Sequence, residues 1–270
     1  MKTKVALLSL GLVSLGFCID EYQPIAPKTT EVDVGYNPVF WTGGYNSGGT
    51  KVDNPSGTSP MANNVGLQIK YGIMKGLDAE LGWGFSALNK DGGVANGYTG
   101  SASGFVTPDV AVKYALTDMG LGFYVDVVIP WVTGDFDTKP SSVDLGIAPG
   151  VVYGKNYGKF QAVGRAQYLL NIKNGDKIKQ SDVLMVYLKP GYSITDALAG
   201  YLGINYNMYG KHDYAGAKAG DGYLFSLLPG ATFTQNKMMS YEVNIPITLA
   251  GKNQPASWGV AAWAYFTFGG

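Results

Sequence analysis

The chain has 270 residues, 46% of them hydrophobic and 15% charged, with equal numbers of basic and acidic side chains. Phosphate binding requires a concentrated basic surface, so this balance does not support nucleic-acid binding and we expect no nucleic-acid partner. Cys18 is the single cysteine, which excludes a disulfide within the chain and a metal site built from clustered thiolates.

The N-terminus has the pattern of a secretory signal. Lys2 and Lys4 precede an apolar run over positions 5–16, and the small residue Cys18 is followed by a polar stretch at 20–23. We therefore predict a signal peptide at 1–18 and an outer-membrane β-barrel at 19–270. The run is too short for a transmembrane helix, which needs about 20 apolar residues, and no later stretch comes closer. Cys18 could instead be a lipid-modified N-terminus or a free thiol.

The first clear strand signal lies at 65–73, where apolar residues alternate strictly with polar or small ones. After Met74, Lys75 and Gly76 the alternation resumes and continues to position 86. A period of two is typical of a strand whose faces meet different environments, and two such strands joined by a tight turn predict a hairpin.

The hairpin unit recurs along the chain. Further short turns are predicted around 117–118, 156–158, 195–196 and 236–237, with terminal strands near 31–40 and 257–268. Longer polar or glycine-rich segments separate the units at 41–62, 89–107, 131–142, 173–181, 210–222 and 250–256. Short turns at one end and long loops at the other predict an all-β transmembrane antiparallel up-and-down β-barrel of about twelve strands, with its short turns in the periplasm.

An aromatic residue on the apolar face precedes each short turn. These residues are Tyr71, Tyr114, Tyr153, Tyr192 and Phe233. We expect them to form the aromatic ring that marks the lipid interface. The Pro-Gly pairs at 149–150, 190–191 and 229–230 each come shortly before a turn, and they predict bulges or local openings because proline cannot donate to the ladder.

The size of the barrel decides which face points inward. Side chains can fill the interior of a barrel of about 8 strands, whereas about twelve strands enclose more space than apolar side chains occupy. The apolar face then points outward, and lipid is the environment that accepts it. We therefore expect location in a bacterial outer membrane, with outer-membrane lipid and the barrel-assembly machinery as partners. A soluble secreted β-sandwich is the alternative fold.

The polar face then lines the lumen. Its predicted lumen and constriction residues are Arg165, Lys70, Glu80, Lys113, Asp126, Lys189 and Glu242. Arg165 is the single arginine of the chain, and its permanently charged planar guanidinium suits either a constriction or a fixed salt bridge with lumenal acids. Pairing of such charges across the lumen as a purely structural device is the alternative for each residue.

The sequence favours a protein that is not an enzyme. His212 is the single histidine, and its neighbour Asp213 makes the pair the one candidate for a catalytic base. Two adjacent residues in a polar loop usually form a solvated turn, and no serine lies in a nucleophile motif. We predict no catalytic residues, no metal site and no cofactor.

Four segments carry a family resemblance: 67–81 (LQIKYGIMKGLDAEL), 108–116 (PDVAVKYAL), 129–134 (IPWVTG) and 187–199 (YLKPGYSITDALA). They resemble the outer-membrane proteins named for a proposed role in the meta-pathway of phenol degradation. The resemblance implies a channel for passive uptake of small solutes, including hydrophobic or aromatic ones. A structural or surface-interaction barrel with a closed lumen is the alternative function.

Overall fold

The computed structural model describes residues 24–54, 60–89, 101–134, 145–172, 178–179, 181–214 and 217–269. The predicted signal peptide and Cys18 lie outside these residues. A short 3-10 turn lies at Thr117–Met119, and no helix among the described residues is long and apolar enough to cross a bilayer.

Twelve barrel strands follow one another along the chain. They are β1 Thr30–Tyr45, β2 Met61–Met74, β3 Leu77–Asn89, β4 Ala102–Leu116, β5 Leu121–Val128, β6 Leu145–Tyr157, β7 Phe160–Ile172, β8 Val183–Ser193, β9 Leu198–Tyr209, β10 Gly222–Asn236, β11 in two parts, Met239–Asn244 and Ile247–Lys252, and β12 in two parts, Pro255–Gly259 and Ala261–Phe268.

Each strand pairs antiparallel with the next, and the sheet closes where β1 pairs with β12. In that closing ladder, Thr30 lies opposite Phe268 and Tyr36 lies opposite Ala262. The result is the predicted closed twelve-stranded antiparallel barrel. Closure satisfies the backbone of every edge, which is the requirement for a sheet surrounded by lipid.

The two ends of the barrel differ, as predicted. Short turns join β2 to β3, β4 to β5, β6 to β7, β8 to β9 and β10 to β11, and we call this end, which also holds Thr30 and Phe268, the short-turn end. The opposite, long-loop end carries the longer connections and the short strands Lys51–Asp53, Ile178–Lys179, His212–Tyr214 and Ala217–Ala219.

The prediction of a long segment at 250–256 is wrong. Strand β11 continues to Lys252 and β12 begins at Pro255, so only Asn253 and Gln254 connect them. Asn253 adopts a left-handed conformation with φ of 52°, which asparagine tolerates better than most residues. The polar composition of this segment indicated a loop, but a tight turn needs the same residue types.

The three Pro-Gly pairs produce local openings of the ladder, and the register does not shift at them. Pairing between β6 and β7 skips Ala148 and Pro149, and pairing between β8 and β9 skips Lys189 and Pro190. A comparable gap separates the two halves of β11 opposite Pro229. The missing proline N–H explains these gaps, and the closed sheet tolerates them.

The segment at 24–29 folds back into the short-turn end of the barrel. The backbone N–H of Ile25 donates to Asp78 Oδ2 at 3.1 Å, and that of Lys28 donates to the carbonyl of Gly72 at 2.8 Å. Ile25 and Thr29 are both buried. This end of the lumen is therefore partly filled by main chain beside β2 and β3.

Candidate functional site

The two faces of the barrel wall have opposite characters. Outward side chains along the strands are mostly large, apolar and exposed, and inward side chains are mostly buried. All seven predicted lumen residues lie on the inward face. An exterior of exposed apolar side chains around a polar interior is the arrangement of a transmembrane barrel.

The first inward charge cluster lies on β1 and β2 near the short-turn end. Lys70 Nζ lies 2.8 Å from Glu31 Oε1 and 2.8 Å from Asp33 Oδ2, and all three side chains are buried. Gln68, which is also on β2, donates a side-chain amide hydrogen bond to Glu80 on the neighbouring strand β3. Because these groups are nearly closed to solvent, each depends on its partner for solvation.

Lys113 extends this cluster onto β4. Its Nζ lies 3.3 Å from Asp78 Oδ2, the same oxygen that accepts the backbone N–H of Ile25. Asp78 thus joins a lumen cation to the segment before β1. Sequence alternation placed Asp78 on the inward face but gave no sign of its contact with the N-terminal segment.

Arg165 lies on the inward face of β7, opposite Val152 on β6 and Tyr187 on β8. It is close enough to interact with the carboxylate of Asp126 on β5, and Gln167 donates a hydrogen bond to that carboxylate. The structure therefore brings the predicted Arg165 and Asp126 together. Their role in a constriction stays a prediction.

Lys189 of β8 and Glu242 of β11 form a further inward pair. Lys189 Nζ lies 2.8 Å from Glu242 Oε2 and 4.3 Å from the centre of the Tyr201 ring, and the Tyr201 hydroxyl donates to Glu242 Oε1 at 2.5 Å. The ring and the carboxylate hold the ammonium group from two sides. This combines an ion pair with a cation–π contact.

Inward glycines receive aromatic rings from the neighbouring strand. A Cβ atom at Gly150 would collide with the ring of Tyr124, and a Cβ atom at Gly230 would collide with the ring of Tyr201. Each ring lies flat against the wall in the space that the glycine leaves. A ring packed over a glycine projects less into the lumen than a ring packed over a larger side chain.

An apolar cluster lines the inward face toward the long-loop end. This upper-lumen cluster consists of Val128, Ala148, Leu169, Val183, Tyr209 and Leu224. Val132 and Met185 are partly buried and pack against it. Toward the long-loop end, the inward face of β5 to β10 is therefore largely apolar, whereas the charged inward side chains described above lie closer to the short-turn end.

Sequence reasoning missed the upper-lumen cluster, since it assigned the inward face as polar. The available signal was a local loss of alternation, with apolar residues at consecutive positions such as 127–129, 168–170 and 227–228. In these stretches both faces of the strand are apolar. The same pattern indicates a strand buried on both faces.

All five residues of the predicted aromatic ring are exposed, and each lies on the outward face near the short-turn end. Their cross-strand neighbours lie next to the short turns: Tyr114 is opposite Leu77 and Phe123, and Tyr153 is opposite Leu121. Two members make further aromatic contacts, Tyr192 with Phe160 and Phe233 with Tyr241. Contact of this ring with lipid headgroups stays a prediction.

The long-loop end carries an exposed ion pair between Lys252, the last residue of β11, and Asp221, which precedes β10. Lys252 Nζ lies 3.0 Å from Asp221 Oδ2, and this hydrogen-bonded ammonium group lowers the pKa of Asp221 below its usual value. The predicted candidate base His212 is in the short strand His212–Tyr214, whose side chains lie outside the described set. Within the described ranges, no group of three or more His, Cys, Asp or Glu residues could hold a metal ion.

No protein-family model and no curated protein sequence matches the chain. Solved structures do. An outer-membrane channel from Pseudomonas putida F1 superposes with a TM-score of 0.76 at 16% identity, covering 92% of this chain and 98% of that one. The translocator domain of the autotransporter NalP from Neisseria meningitidis gives a TM-score of 0.55 at 11% identity, covering 97% and 96%.

A mutant of TodX, described as a monoaromatic hydrocarbon channel, superposes with a TM-score of 0.50 at 10% identity, covering 90% of this chain and 91% of that one. At these identities the likeness concerns the fold. The closed barrel, its apolar exterior and these neighbours define the chain as a β-barrel of the bacterial outer membrane.

Proposed function

We propose that this barrel is an outer-membrane channel through which small uncharged solutes, hydrophobic or aromatic in character, cross by passive diffusion. The observation that carries the proposal is the upper-lumen cluster. A channel for ions or sugars needs polar groups along its whole length, because a dry apolar constriction excludes water and ions. An apolar solute gains free energy at the same place by leaving water.

The remainder of the lumen is compatible with passage. Several inward residues toward the short-turn end are only partly buried, among them Lys189, Tyr201, Trp263 and Tyr265. Rings seated on Gly150 and Gly230 project less toward the centre of the barrel than they would over larger residues. A solute that passes the upper-lumen cluster therefore meets a more accessible, polar compartment below it.

Two of the structural neighbours support this proposal. One is an outer-membrane channel, and the other is a monoaromatic hydrocarbon channel. The family that the sequence resembles is named for phenol degradation, and we infer only the wider class of hydrophobic or aromatic solutes from it. The charges of Arg165, Asp126, Lys189 and Glu242 would then border the route as fixed pairs.

We infer the following placement and assembly. The short-turn end faces the periplasm, the long-loop end faces the medium, and the five-residue aromatic ring lies at the periplasmic lipid interface. Residues 1–18 are removed after export, and the barrel-assembly machinery inserts the chain. Mass spectrometry of the N-terminal peptide tests the cleavage, because a mature chain beginning before position 19 would contradict it.

Uptake of radiolabelled toluene by cells with and without the protein tests the channel function. The informative pair of variants is Leu169→Trp and Leu170→Trp, because Leu169 is 3% exposed inside the lumen and Leu170 is 42% exposed outside it. Trp at position 169 adds volume to the packed apolar layer and should block uptake, whereas Trp at position 170 faces lipid and should leave uptake unchanged. Heat-modifiable migration in gels confirms that both barrels fold.

Passive transport further requires that uptake continue in the presence of a protonophore. Equal uptake by cells with and without the protein would show a closed barrel and overturn the proposal. Equal uptake by the two Trp variants would place the route away from the upper-lumen cluster. A large ohmic ion conductance in planar bilayers would contradict a dry apolar constriction.

A further inference from the structure

Two polar residues lie within the apolar part of the lumen. Asn207 and Tyr209 are two positions apart on the inward face of β9, and they are 1% and 6% exposed. On the flanking strands, Asn207 lies opposite Met185 of β8 and Leu224 of β10. An amide in such surroundings is costly unless both of its polar atoms have partners.

The hydrogen-bonding capacity of this pair is not filled. Asn207 Oδ1 has no hydrogen-bond partner in the described part of the chain, and the Tyr209 hydroxyl, whose oxygen the Asn207 amide approaches as a donor, gives its own proton to no acceptor there. Both atoms are closed to solvent, so bulk water does not satisfy them. The acceptor Asn207 Oδ1 and the donor Tyr209 O–H therefore lie beside an apolar surface with hydrogen-bonding capacity left over. A buried polar atom left unpaired is unfavourable, and a partner that reaches it is bound selectively.

We propose that Asn207 and Tyr209 form a hydroxyl-binding site for an uncharged solute that has an apolar body and one hydroxyl group. A hydroxyl both donates and accepts, so the same group can donate to Asn207 Oδ1 and accept from Tyr209. The apolar body packs on Leu224 and its neighbours. This inference rests on the proposed function, because the solute must enter the lumen to reach the site.

Other polar groups fit this pair less well. A carboxylate or an ammonium group would bring a full charge among the apolar side chains of Val183, Leu224 and Leu169, where its desolvation is costly. A carbonyl or ether oxygen could accept from Tyr209 but would leave Asn207 Oδ1 unpaired. The recognised chemistry is therefore that of an alcohol or a phenol.

Met185 provides the means of access. It packs against the upper-lumen cluster but is only partly buried, and it is the neighbour of Asn207 on β8. An unbranched thioether side chain changes rotamer more readily than a β-branched one. A change of the Met185 rotamer would uncover Asn207 without movement of the barrel wall.

Methionine-methyl NMR of the full barrel in lipid nanodiscs tests the site, with the Met185 signal assigned by Met185→Leu. The probes are benzyl alcohol and toluene, which differ by the hydroxymethyl group. In the wild-type protein, we expect the Met185 signal to report binding of benzyl alcohol about tenfold tighter than toluene, the effect of one to two satisfied hydrogen bonds. Asn207→Leu keeps a similar volume and should abolish this preference while toluene still binds.

Two further variants complete the test. Asn205→Leu makes the same change one step lower on the same inward face and should keep the preference. Tyr209→Phe removes only the donor and should reduce the preference in part, which keeps the proposal testable if Asn207→Leu does not fold.

Equal affinities of the two probes for the wild-type protein, no response of Met185, or a preference that survives Asn207→Leu would each overturn the inference. These outcomes are independent of the uptake experiment. Toluene uptake that depends on position 169, without a hydroxyl preference in binding, would refute the site and leave the channel function intact. A hydroxyl preference without uptake would refute the channel function alone.

Discussion

Lys70 lies between two buried carboxylates, and its removal takes the paired cation from both. The exposed pair of Lys51 and Asp53 has a similar separation, 2.9 Å, but lies in solvent. We expect Lys70→Met to lower the free energy of unfolding by about 3–5 kcal/mol, because Glu31 and Asp33 remain buried without their cation. Lys51→Met should change it by about 0–1 kcal/mol. Urea unfolding from lipid vesicles, followed by tryptophan fluorescence, measures both.

If both variants lost a similar free energy of unfolding, burial of Lys70, Glu31 and Asp33 would not determine how much their ion pairs stabilise the barrel. In the sequence, Lys70 is one predicted lumen charge among several, and nothing in its surroundings distinguishes it from the others. Alternation of residues locates a charge on the inward face, but pairing depends on the register between β1 and β2 and on side-chain conformation. Neither is encoded in the local pattern around position 70.

Arg165 is the residue whose replacement should change ion selectivity. A fixed guanidinium group in the lumen repels cations over a Debye length of about 8 Å at physiological salt. Arg165→Ala removes this charge, leaves Asp126 with less compensation, and widens the lumen at β7. We expect a higher residual conductance and a shift of the reversal potential toward cation selectivity in planar bilayers under a salt gradient.

Lys155 provides the matched control, since it is an exposed cation near the end of β6. Lys155→Ala should leave conductance and reversal potential unchanged. A folded Arg165→Ala barrel with wild-type values would show that Arg165 is a paired structural residue away from the route. That result would favour the alternative interpretation of this arginine.

At the scale of strands, inward glycines determine how far aromatic rings reach into the lumen. Gly150 on β6 accommodates the ring of Tyr124 on β5, whereas a Cβ atom at Gly200, on the outward face of β9, would meet nothing nearer than Ile194 Cδ1 at 3.8 Å. Gly150→Ala should therefore push Tyr124 toward the lumen axis, reduce toluene uptake severalfold and lower stability by about 1–3 kcal/mol through overpacking. Gly200→Ala should have little effect on either measurement.

Unchanged uptake in a folded Gly150→Ala barrel would mean that the Tyr124 ring does not border the route. Tyr124→Ala in the same background offers an internal check. It removes the displaced ring and should restore uptake if the ring was the obstacle.

The strands and short turns could be predicted because each depends on a pattern of residues that are adjacent in the sequence. Alternation marks a wall strand, and turn residues such as Lys75 and Gly76 mark its end. The break of β11 at Ile245 and Pro246 and the tight turn at Asn253 were not predicted, because they depend on pairing with β10 and β12. The upper-lumen cluster was not predicted either, since an inward apolar residue carries the same local signal as a lipid-facing one.

The whole barrel has a fixed position relative to the membrane, and that position controls what a charge on its outer face costs. Val125 and Tyr114 are both outward and both 46% exposed, but Tyr114 lies beside a short turn whereas Val125 lies in the middle of the wall, opposite Val112 and Pro149. An arginine on the lipid face costs about 2–4 kcal/mol at the midplane and about 0–1 kcal/mol near the interface.

We therefore expect Val125→Arg, and likewise Leu81→Arg, to destabilise the barrel by about 2–4 kcal/mol or to block its assembly, and Tyr114→Arg to be nearly neutral. Guanidinium unfolding from vesicles gives these energies, and the heat-modifiable band reports assembly in cells. Val125 and Tyr114 are equally exposed in the isolated molecule, so a difference in the cost of arginine between the two positions reports their different depths in the bilayer. Equal costs at the two positions would mean that the five-residue aromatic ring does not lie at the lipid interface, and the placement of the short-turn end there would fail with it.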